Sequence, residues 1–291
     1  MAMNGEAKNR GAIKTVDRTH FVLTRFNVRS FYHVAEPTDE WLRRRLELFE
    51  RFCLPCLARQ TNNNFRWLVF VDNLSPAWFL EEINKLGQGL FETVRIEGAF
   101  DSTAVSTAVG SRTDSSYILT TRVDNDDAVA SDFIATIQSC FAAQNFTFLN
   151  LVTGAQYADG KVYLRPYTKN PFLTLAEKVG DSPPATVFVE HHYRVDEKGP
   201  IQNIRTLHPM WLQVIHGGNV LNEVVGLRVP GKRFARHFDC DLTFNDSYGS
   251  LVAEVFLGFM KIIGRLARKP ARVGELARVL VAGRPARNGL Q

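Results

Sequence analysis

Residues 117–127 read Tyr-Ile-Leu-Thr-Thr-Arg-Val-Asp-Asn-Asp-Asp, and this stretch decides the fold class. Its first seven residues form an apolar, β-branched run that predicts a buried strand, and the acidic run Asp124–Asp127 follows directly. Strand patterns over residues 21–26 and 65–71 precede it, with a helical pattern between them. Alternating strands and helices predict an α/β fold with a mainly parallel central sheet flanked by helices. Ligands bind at the carboxyl ends of strands in such sheets, so the acidic run lies where a site is expected.

The pattern changes in the second half of the chain. Strands over residues 146–152 and 161–165, around the turn Ala158-Asp159-Gly160, predict a smaller antiparallel part. Asn170-Pro171 predicts the start of a short helix, and residues 186–190 predict a further strand. The predicted divisions are a flexible N-terminus over 1–18, a main domain over 19–244 with halves 19–130 and 131–244, and a C-terminal helix with a basic tail over 245–291.

The charge of the chain is unevenly distributed. The net charge is +5, yet residues 261–291 alone carry eight Lys or Arg and one Glu, so the preceding 260 residues carry −2. A nucleic-acid-binding domain is expected to have a basic face of its own, which argues against that class. The polar first 20 residues contain no apolar signal segment and no run is long enough to span a membrane, so we expect a cytoplasmic protein.

The acidic run allows two interpretations. In an extended backbone Asp124 and Asp126 point the same way, and a hard cation such as Mg²⁺ or Mn²⁺ relieves their repulsion. Alternatively, the acids accept hydrogen bonds from backbone N–H groups ahead of the helix that Ser131 is predicted to cap. The residues alone favour neither interpretation. Ala128 stands where an Asp-x-Asp-x-Thr phosphatase needs Thr or Val, which argues against that class.

Four segments between about residues 20 and 225 together resemble a known family. They are Phe21–Asn27, Trp67–Asp72, Thr121–Asp127 and Trp211–Asn219. In this order they are similar to the GT-A glycosyltransferases, and in detail to the bacterial family described as putative rhamnosyl transferases. The resemblance implies a GT-A-like, Rossmann-type fold and transfer of a sugar from a UDP- or dTDP-linked nucleoside-diphosphate sugar to a saccharide or lipid-linked acceptor. The alternative is a non-catalytic nucleotide- or sugar-binding module with the same fold.

The resemblance also implies roles for residues at the strand ends. Thr24, Arg25 and Asn27 match the loop that lines the nucleotide, although Arg25 is equally compatible with a place on the surface. Asp72 matches an acid that faces the nucleobase. The family commonly has two acids there, whereas this chain has Asn73, and the alternative for Asp72 is a cap of the turn at Ser75-Pro76.

A metal site is implied at the acidic run. Asp124 is expected to contact ribose or metal, and Asp126 and Asp127 are expected to hold Mn²⁺ or Mg²⁺ on the diphosphate, whose developing charge the metal neutralises. His216, followed by Gly217, is predicted to complete the metal shell, with a hydrogen-bonded histidine in a turn as the alternative.

An inverting transfer needs a general base near the acceptor hydroxyl. Glu190 falls where related enzymes place their catalytic acid, and Glu177 is the second candidate. A solvated surface charge is the alternative for each.

The C-terminal segment suggests one further partner. Residues 249–269 combine apolar positions at helical spacing with Arg265, Arg268 and Lys269, which is compatible with peripheral contact to the inner face of a membrane. The alternative is a helix that packs into the core, followed by a solvated tail.

Overall fold

The computed structural model describes residues 16–29, 37–217, 223–268 and 284–285. Its strands are β1 Arg18–Arg25, β2 Arg66–Asp72, β3 Glu92–Ile96, β4 Tyr117–Arg122, β5 Ala128–Val129, β6 Phe146–Leu151, β7 Ala155–Ala158, β8 Lys161–Leu164, β9 Thr174–Lys178, β10 Ile201–Arg205, β11 Trp211–Ile215, β12 Leu227–Val229 and β13 Arg284–Pro285. Its α-helices are α1 Asp39–Leu48, α2 Leu54–Ala58, α3 Ala77–Gly87, α4 Ser102–Gly110, α5 Phe133–Ser139 and α6 Tyr248–Arg268. A π-helical turn, Phe49–Cys53, joins α1 to α2.

The main sheet has eight strands in the order β13-β10-β6-β9-β4-β1-β2-β3. Every neighbouring pair is parallel except the two that β9 makes, with β4 and with β6. Side chains of β1 alternate between two hydrophobic cores: Val22 packs with α1 and α5 on one face, and Phe21 and Leu23 pack with α4 on the other. A parallel sheet covered on both faces requires near-continuous apolar strands. The predicted α/β class and mainly parallel central sheet are confirmed.

A second sheet carries the antiparallel part, in the order β12-β8-β7-β11-β5. The hairpin predicted around Asp159-Gly160 is present, and both residues have positive φ, as a tight two-residue turn requires. Its first strand is β7, however, and not the predicted residues 146–152. Most of that stretch forms β6, which joins the main sheet parallel to β10.

Two other local predictions were wrong. The segment after Asn170-Pro171 forms β9 and not a helix, because it fills the place between β4 and β6 in the main sheet. Residues 186–190 form a 3₁₀ turn over Val187–Val189 and not a strand. Thr186, which precedes that turn, has φ of 60°, a conformation that an extended strand does not allow.

Packing around Trp211 fixes the position of β11. The indole is fully buried, stacks on Phe172 with ring centroids 5.1 Å apart, and donates a hydrogen bond to the carbonyl of Leu151 at 2.8 Å. Gly154 lies so close that a Cβ atom there would overlap the indole ring. This contact therefore requires a glycine, and it holds β11 against the main sheet.

The C-terminal helix α6 lies against β12 and is anchored by Glu254. Its carboxylate accepts hydrogen bonds from Lys161 at 2.6 Å and from Tyr163 at 3.1 Å. Within the described residues, no helix is long and apolar enough to cross a membrane. The predicted basic tail beyond Arg268 lies outside those residues, apart from Arg284 and Pro285, and so do residues 1–15 of the predicted flexible N-terminus.

Candidate active site

The antiparallel pairing of β5 with β11 brings the acidic run to His216. Leu212 pairs with Ala128, so the chain beyond Leu212 runs back alongside the residues that precede β5. Val214 donates its backbone N–H to Asp127 at 2.9 Å, and His216 lies 2.8 Å from Asp126 between Nε2 and Oδ2. Two segments that are far apart in the sequence therefore form one cluster at the end of β4.

Asp126 lies at the centre of a buried cluster that includes the guanidinium group of Arg45. Arg45 of α1 donates from Nη1 to the Oδ2 of Asp126 at 2.8 Å and from Nη2 to the Oδ1 of Asn125. The same Nη1 lies 3.4 Å from the Nε2 of His216, and the guanidinium lies over the ring of Trp41. The side chains of Arg45, Asp126 and His216 are only 15%, 9% and 11% exposed.

Asp124 is held by two other arginines. Arg122 at the end of β4 donates to both of its carboxylate oxygens, and Arg25 at the end of β1 donates to Oδ1 at 3.3 Å. Both guanidinium groups also lie over the ring of Phe188, 5.6 and 5.8 Å from its centroid. Each ionised partner is thus largely removed from water but paired.

The three carboxylates are in unlike electrostatic states. Burial raises the pKa of Asp124, but the guanidinium groups of Arg122 and Arg25 outweigh it and hold that pKa well below its usual range. Burial raises the pKa of Asp126 as well, and the bond from His216 and the charge of Arg45 bring it below normal. For Asp127, burial and the neighbouring carboxylates raise the pKa well above its usual range. Asp127 does accept a backbone N–H at Oδ1, but that N–H belongs to Val214 of β11 and not to the residues ahead of α5, so this bond is not the predicted helix cap.

The residues predicted to line the nucleotide have other partners in this structure. The hydroxyl of Thr24 is fully buried and accepts a hydrogen bond from the indole of Trp67 at 2.9 Å. The side chain of Asn27 donates to the hydroxyl of Ser75 at 2.8 Å and accepts from the backbone N–H of Asp72. Both residues thus bind neighbouring strand ends together, and their contact with a nucleotide stays a prediction.

Asp72 uses its two carboxylate oxygens differently. Oδ1 accepts the backbone N–H of Leu74 at 2.8 Å, which caps the turn before α3. Oδ2 accepts from Nε of Arg29 at 2.6 Å. The predicted cap is present, and the predicted contact of Asp72 with a nucleobase stays a prediction.

The two candidate bases lie in different environments. Glu177 is opposite Ile118, near the start of β4, and both its oxygens accept hydrogen bonds at 2.9 Å from the backbone N–H groups of Ala185 and Thr186. Burial raises its pKa, which those two bonds oppose. Glu190 is partly exposed and follows the 3₁₀ turn that carries Phe188, the residue under both arginines of Asp124. The segment that carries Glu190 therefore contacts the arginines that bind Asp124, whereas the side chain of Glu177 binds the backbone of the loop before that segment.

The donor atoms around Arg45 suit a hard cation. A guanidinium already lies among a carboxylate oxygen, an amide oxygen and an imidazole nitrogen, and all three can bind Mg²⁺ or Mn²⁺. In the described part of the chain no three His, Cys, Asp or Glu side chains converge as metal ligands. Mg²⁺ commonly binds through one or two carboxylates and completes its shell with water and substrate phosphates, so the pair Asp126 and His216 fits.

Sequence reasoning missed Arg45, Arg122 and Asn125 as members of the site. The position of Arg45 was partly readable, because it borders the buried stripe of Leu42 and Leu46 on α1. Asn125 is the one residue of the run Asp124–Asp127 with an amide side chain, so a pattern of charged residues does not indicate it. Cys53 and Cys56 are buried free thiols in the helical segment.

Comparison with known families identifies the chain. The sequence model of the family described as "putative rhamnosyl transferase" matches residues 35–227, which is most of the chain and includes all three carboxylates and His216. The chain belongs to this family of glycosyltransferases. No curated protein matches the sequence.

Several solved structures are similar to part of the transferase at low identity and low TM-score. TarS from S. aureus, residues 1–349 in complex with UDP, is 13% identical with a TM-score of 0.42, over 68% of this chain. HddC from Yersinia pseudotuberculosis, complexed with GMP-PN, is 11% identical with a TM-score of 0.33, over 64% of this chain and 89% of its own. The transferase spans 60% of the length of the TarS fragment.

The opposite pKa shifts of Asp124 and Asp127 give opposite effects on stability. The lowered pKa of Asp124 contributes stability above about pH 4, which is lost as the pH falls, whereas the raised pKa of Asp127 costs stability as the pH rises above that value. At pH 7 we expect Asp124→Asn to destabilise the transferase by about 3 kcal/mol, because it leaves two guanidinium groups unpaired. We expect Asp127→Asn to leave the melting temperature unchanged or higher, because the amide oxygen still accepts the N–H of Val214.

Thermal unfolding of both variants from pH 4 to 8 measures this difference. Equal losses of melting temperature at pH 7 would contradict the assignment of charge within the acidic run.

Proposed function

We propose that this transferase moves a sugar from a nucleoside-diphosphate sugar to a saccharide or lipid-linked acceptor with the help of Mn²⁺ or Mg²⁺. The observation that carries the proposal is the convergence of Asp126, His216 and three partly buried arginines at the end of β4. Carboxylate and imidazole ligands suit the cation, and guanidinium groups suit the phosphates of the donor. A single site with both kinds of group matches a metal–diphosphate ligand better than it matches either component alone.

Asp126 and His216 would hold the divalent ion, which when bound neutralises charge that develops on the departing diphosphate. Asp124 would orient Arg25 and Arg122 towards the phosphates or the ribose, because the carboxylate already fixes both guanidinium groups. Asp127 would fix the backbone of β11, and with it the position of His216. The proposal also includes contact of the nucleotide with Thr24, Asn27 and Asp72, whose hydrogen bonds connect β1 with β2 beside the site.

Glu190 is our proposed general base. It lies two residues after Phe188 and two residues before His192. Burial and the charge of Arg122 lower the pKa of His192 to about 4. Partial exposure lets a carboxylate reach an incoming hydroxyl group. We assign Glu177 a positioning role, because its two hydrogen bonds anchor the loop that leads to Glu190.

The metal assignment is tested by Asp126→Ala. We expect the variant to lose Mn²⁺-dependent binding of UDP and dTDP, measured by titration calorimetry, because it lacks the carboxylate ligand. Asp181→Ala, which changes an exposed loop acid, is the matched control. Unchanged nucleotide affinity in a folded Asp126→Ala variant, judged by its thermal transition, would overturn the assignment.

Glutamine variants distinguish the proposed roles of Glu190 and Glu177. We expect Glu190→Gln to lower kcat by about 10²- to 10⁴-fold without changing nucleotide affinity, since the amide cannot accept the proton. We expect Glu177→Gln to lower the melting temperature, because one amide oxygen cannot replace two carboxylate oxygens. Donor turnover with a saccharide acceptor and calorimetric UDP affinity are the measurements. Undiminished turnover in the Glu190→Gln variant would exclude Glu190 as the base. A wild-type protein that binds the nucleotide but shows no turnover would favour the alternative of a non-catalytic binding module.

Peripheral membrane contact through α6 is a further part of the proposal. Large apolar side chains form an exposed stripe along this helix: Val252, Phe256, Phe259, Met260 and Ile263 are each 45–64% exposed. Such a stripe does not match the alternative of a helix packed fully into the core. The sequence adds Lys261, Arg265 and Arg268 at the helix end, so an anionic lipid surface is the partner whose charge complements it.

Vesicle sedimentation tests this contact. We expect the full-length protein to sediment with vesicles that contain phosphatidylglycerol, and the double variant Phe256→Glu/Phe259→Glu to stay in solution. Leu74→Glu/Leu207→Glu, which changes two exposed apolar residues elsewhere, is the matched control. Equal sedimentation of the three proteins would contradict the membrane proposal.

A further inference from the structure

Arg45 is distinctive among the arginines of the site because of the atoms that it binds. Arg25 and Arg122 both bind Asp124, whereas Arg45 binds the groups that are proposed to hold the metal. Its Nη1 lies 2.8 Å from the Oδ2 of Asp126 and 3.4 Å from the Nε2 of His216. The guanidinium of Arg45 therefore occupies the position that a divalent ion bound to these two atoms would need, so the two cations compete for it.

Positively charged groups of the site already outnumber the carboxylates that they bind before any ligand arrives. Three guanidinium groups, of Arg25, Arg45 and Arg122, donate hydrogen bonds to two carboxylates, of Asp124 and Asp126. A divalent ion that entered alone would add two more positive charges to this largely buried cluster, which is electrostatically costly. A nucleoside diphosphate brings negative charge of its own, so the ion and the nucleotide together add less net charge than the ion does alone.

The site also contains donors that an anion would satisfy. The Nε atoms of Arg45 and Arg25 are buried and have no hydrogen-bond acceptor within the described residues. Buried donors normally have a partner, and an unpaired one is costly. Phosphate oxygens are strong acceptors for guanidinium groups, and Arg binds them through two adjacent N–H groups.

We propose that the guanidinium of Arg45 occupies the metal position when no metal is bound. When the divalent ion binds Asp126, the guanidinium leaves that carboxylate and binds the diphosphate instead. The inference rests on the proposed function. It assigns Arg45 a positioning role that makes metal and nucleotide binding mutually dependent. Metal alone binds weakly because the guanidinium must leave Asp126 without a new partner. With nucleotide present, the phosphate takes the guanidinium, so each ligand strengthens the other by the same factor.

A graded series of variants tests the exchange by Mn²⁺ affinity, measured by electron paramagnetic resonance with and without UDP. In the wild-type protein we expect UDP to raise Mn²⁺ affinity by about tenfold or more. We expect Arg45→Gln, which removes the charge, to bind Mn²⁺ alone about tenfold more tightly than the wild type and to show a smaller effect of UDP. Arg45→Lys keeps the charge but loses the two-pronged contact with Asp126 and Asn125, so its Mn²⁺ affinity should lie between the two.

Arg44→Gln is the matched control, because Arg44 is exposed on the same helix and next in sequence. If Arg45→Gln does not fold, the affinity of Arg45→Lys decides. Mn²⁺ affinity and UDP coupling equal to the wild type in the folded Arg45 variants would overturn the exchange while leaving the metal assignment intact. Failure of the proposed function is a separate result, namely nucleotide binding by the wild type that does not respond to Mn²⁺. Absence of Mn²⁺ binding in every variant, with or without UDP, would overturn both.

Discussion

Holding three carboxylates within four residues, two of them buried and one partly buried, is the constraint on which this structure depends. Like charges so close, and so far from water, are tolerated only when opposite charges or donors compensate each of them. Here the compensation comes from four separate parts of the chain: the end of β1, the end of β4, helix α1 and strand β11. The relative placement of these elements is therefore coupled to the electrostatics of the site, as well as to the packing of the two cores.

The same arrangement divides the site into two regions. Asp124 keeps two guanidinium groups together beside Phe188, and Asp126 lies with an imidazole and a third guanidinium. Because Asp127 is attached to the backbone of β11, the second region depends on the smaller sheet and the first on the larger one. Our proposal assigns the phosphates of the donor to the first region and the divalent ion to the second.

The sequence predicted the features that local pattern determines. The apolar runs of β2 and β4 and the acidic residues that follow β4 could be read directly, because a strand covered on both faces leaves a near-continuous hydrophobic signal. Asn170-Pro171 predicts a helix start, and Leu, Ala, Glu and Lys in the segment that follows are good helix formers. Thr174–Lys178 nevertheless forms a strand, because its place between β4 and β6 overrides that propensity. The partners of the acids could not be predicted, since Arg45 lies 81 residues away from Asp126 and only the folded chain brings them together.

The pairing of β5 with β11 has a consequence for how the protein folds. It joins residues 128–129 to residues 211–212, and the chain between them contributes β6, β9 and β10 to one sheet and β7 and β8 to the other. Contacts between residues so distant in sequence form slowly, because the loop must close before the contact contributes any stability. We therefore expect the contact of Asp126 with His216 to form late, so that the cluster around Asp126 appears only with the complete tertiary structure. A partly folded chain of this transferase would retain much of its secondary structure and still have no site.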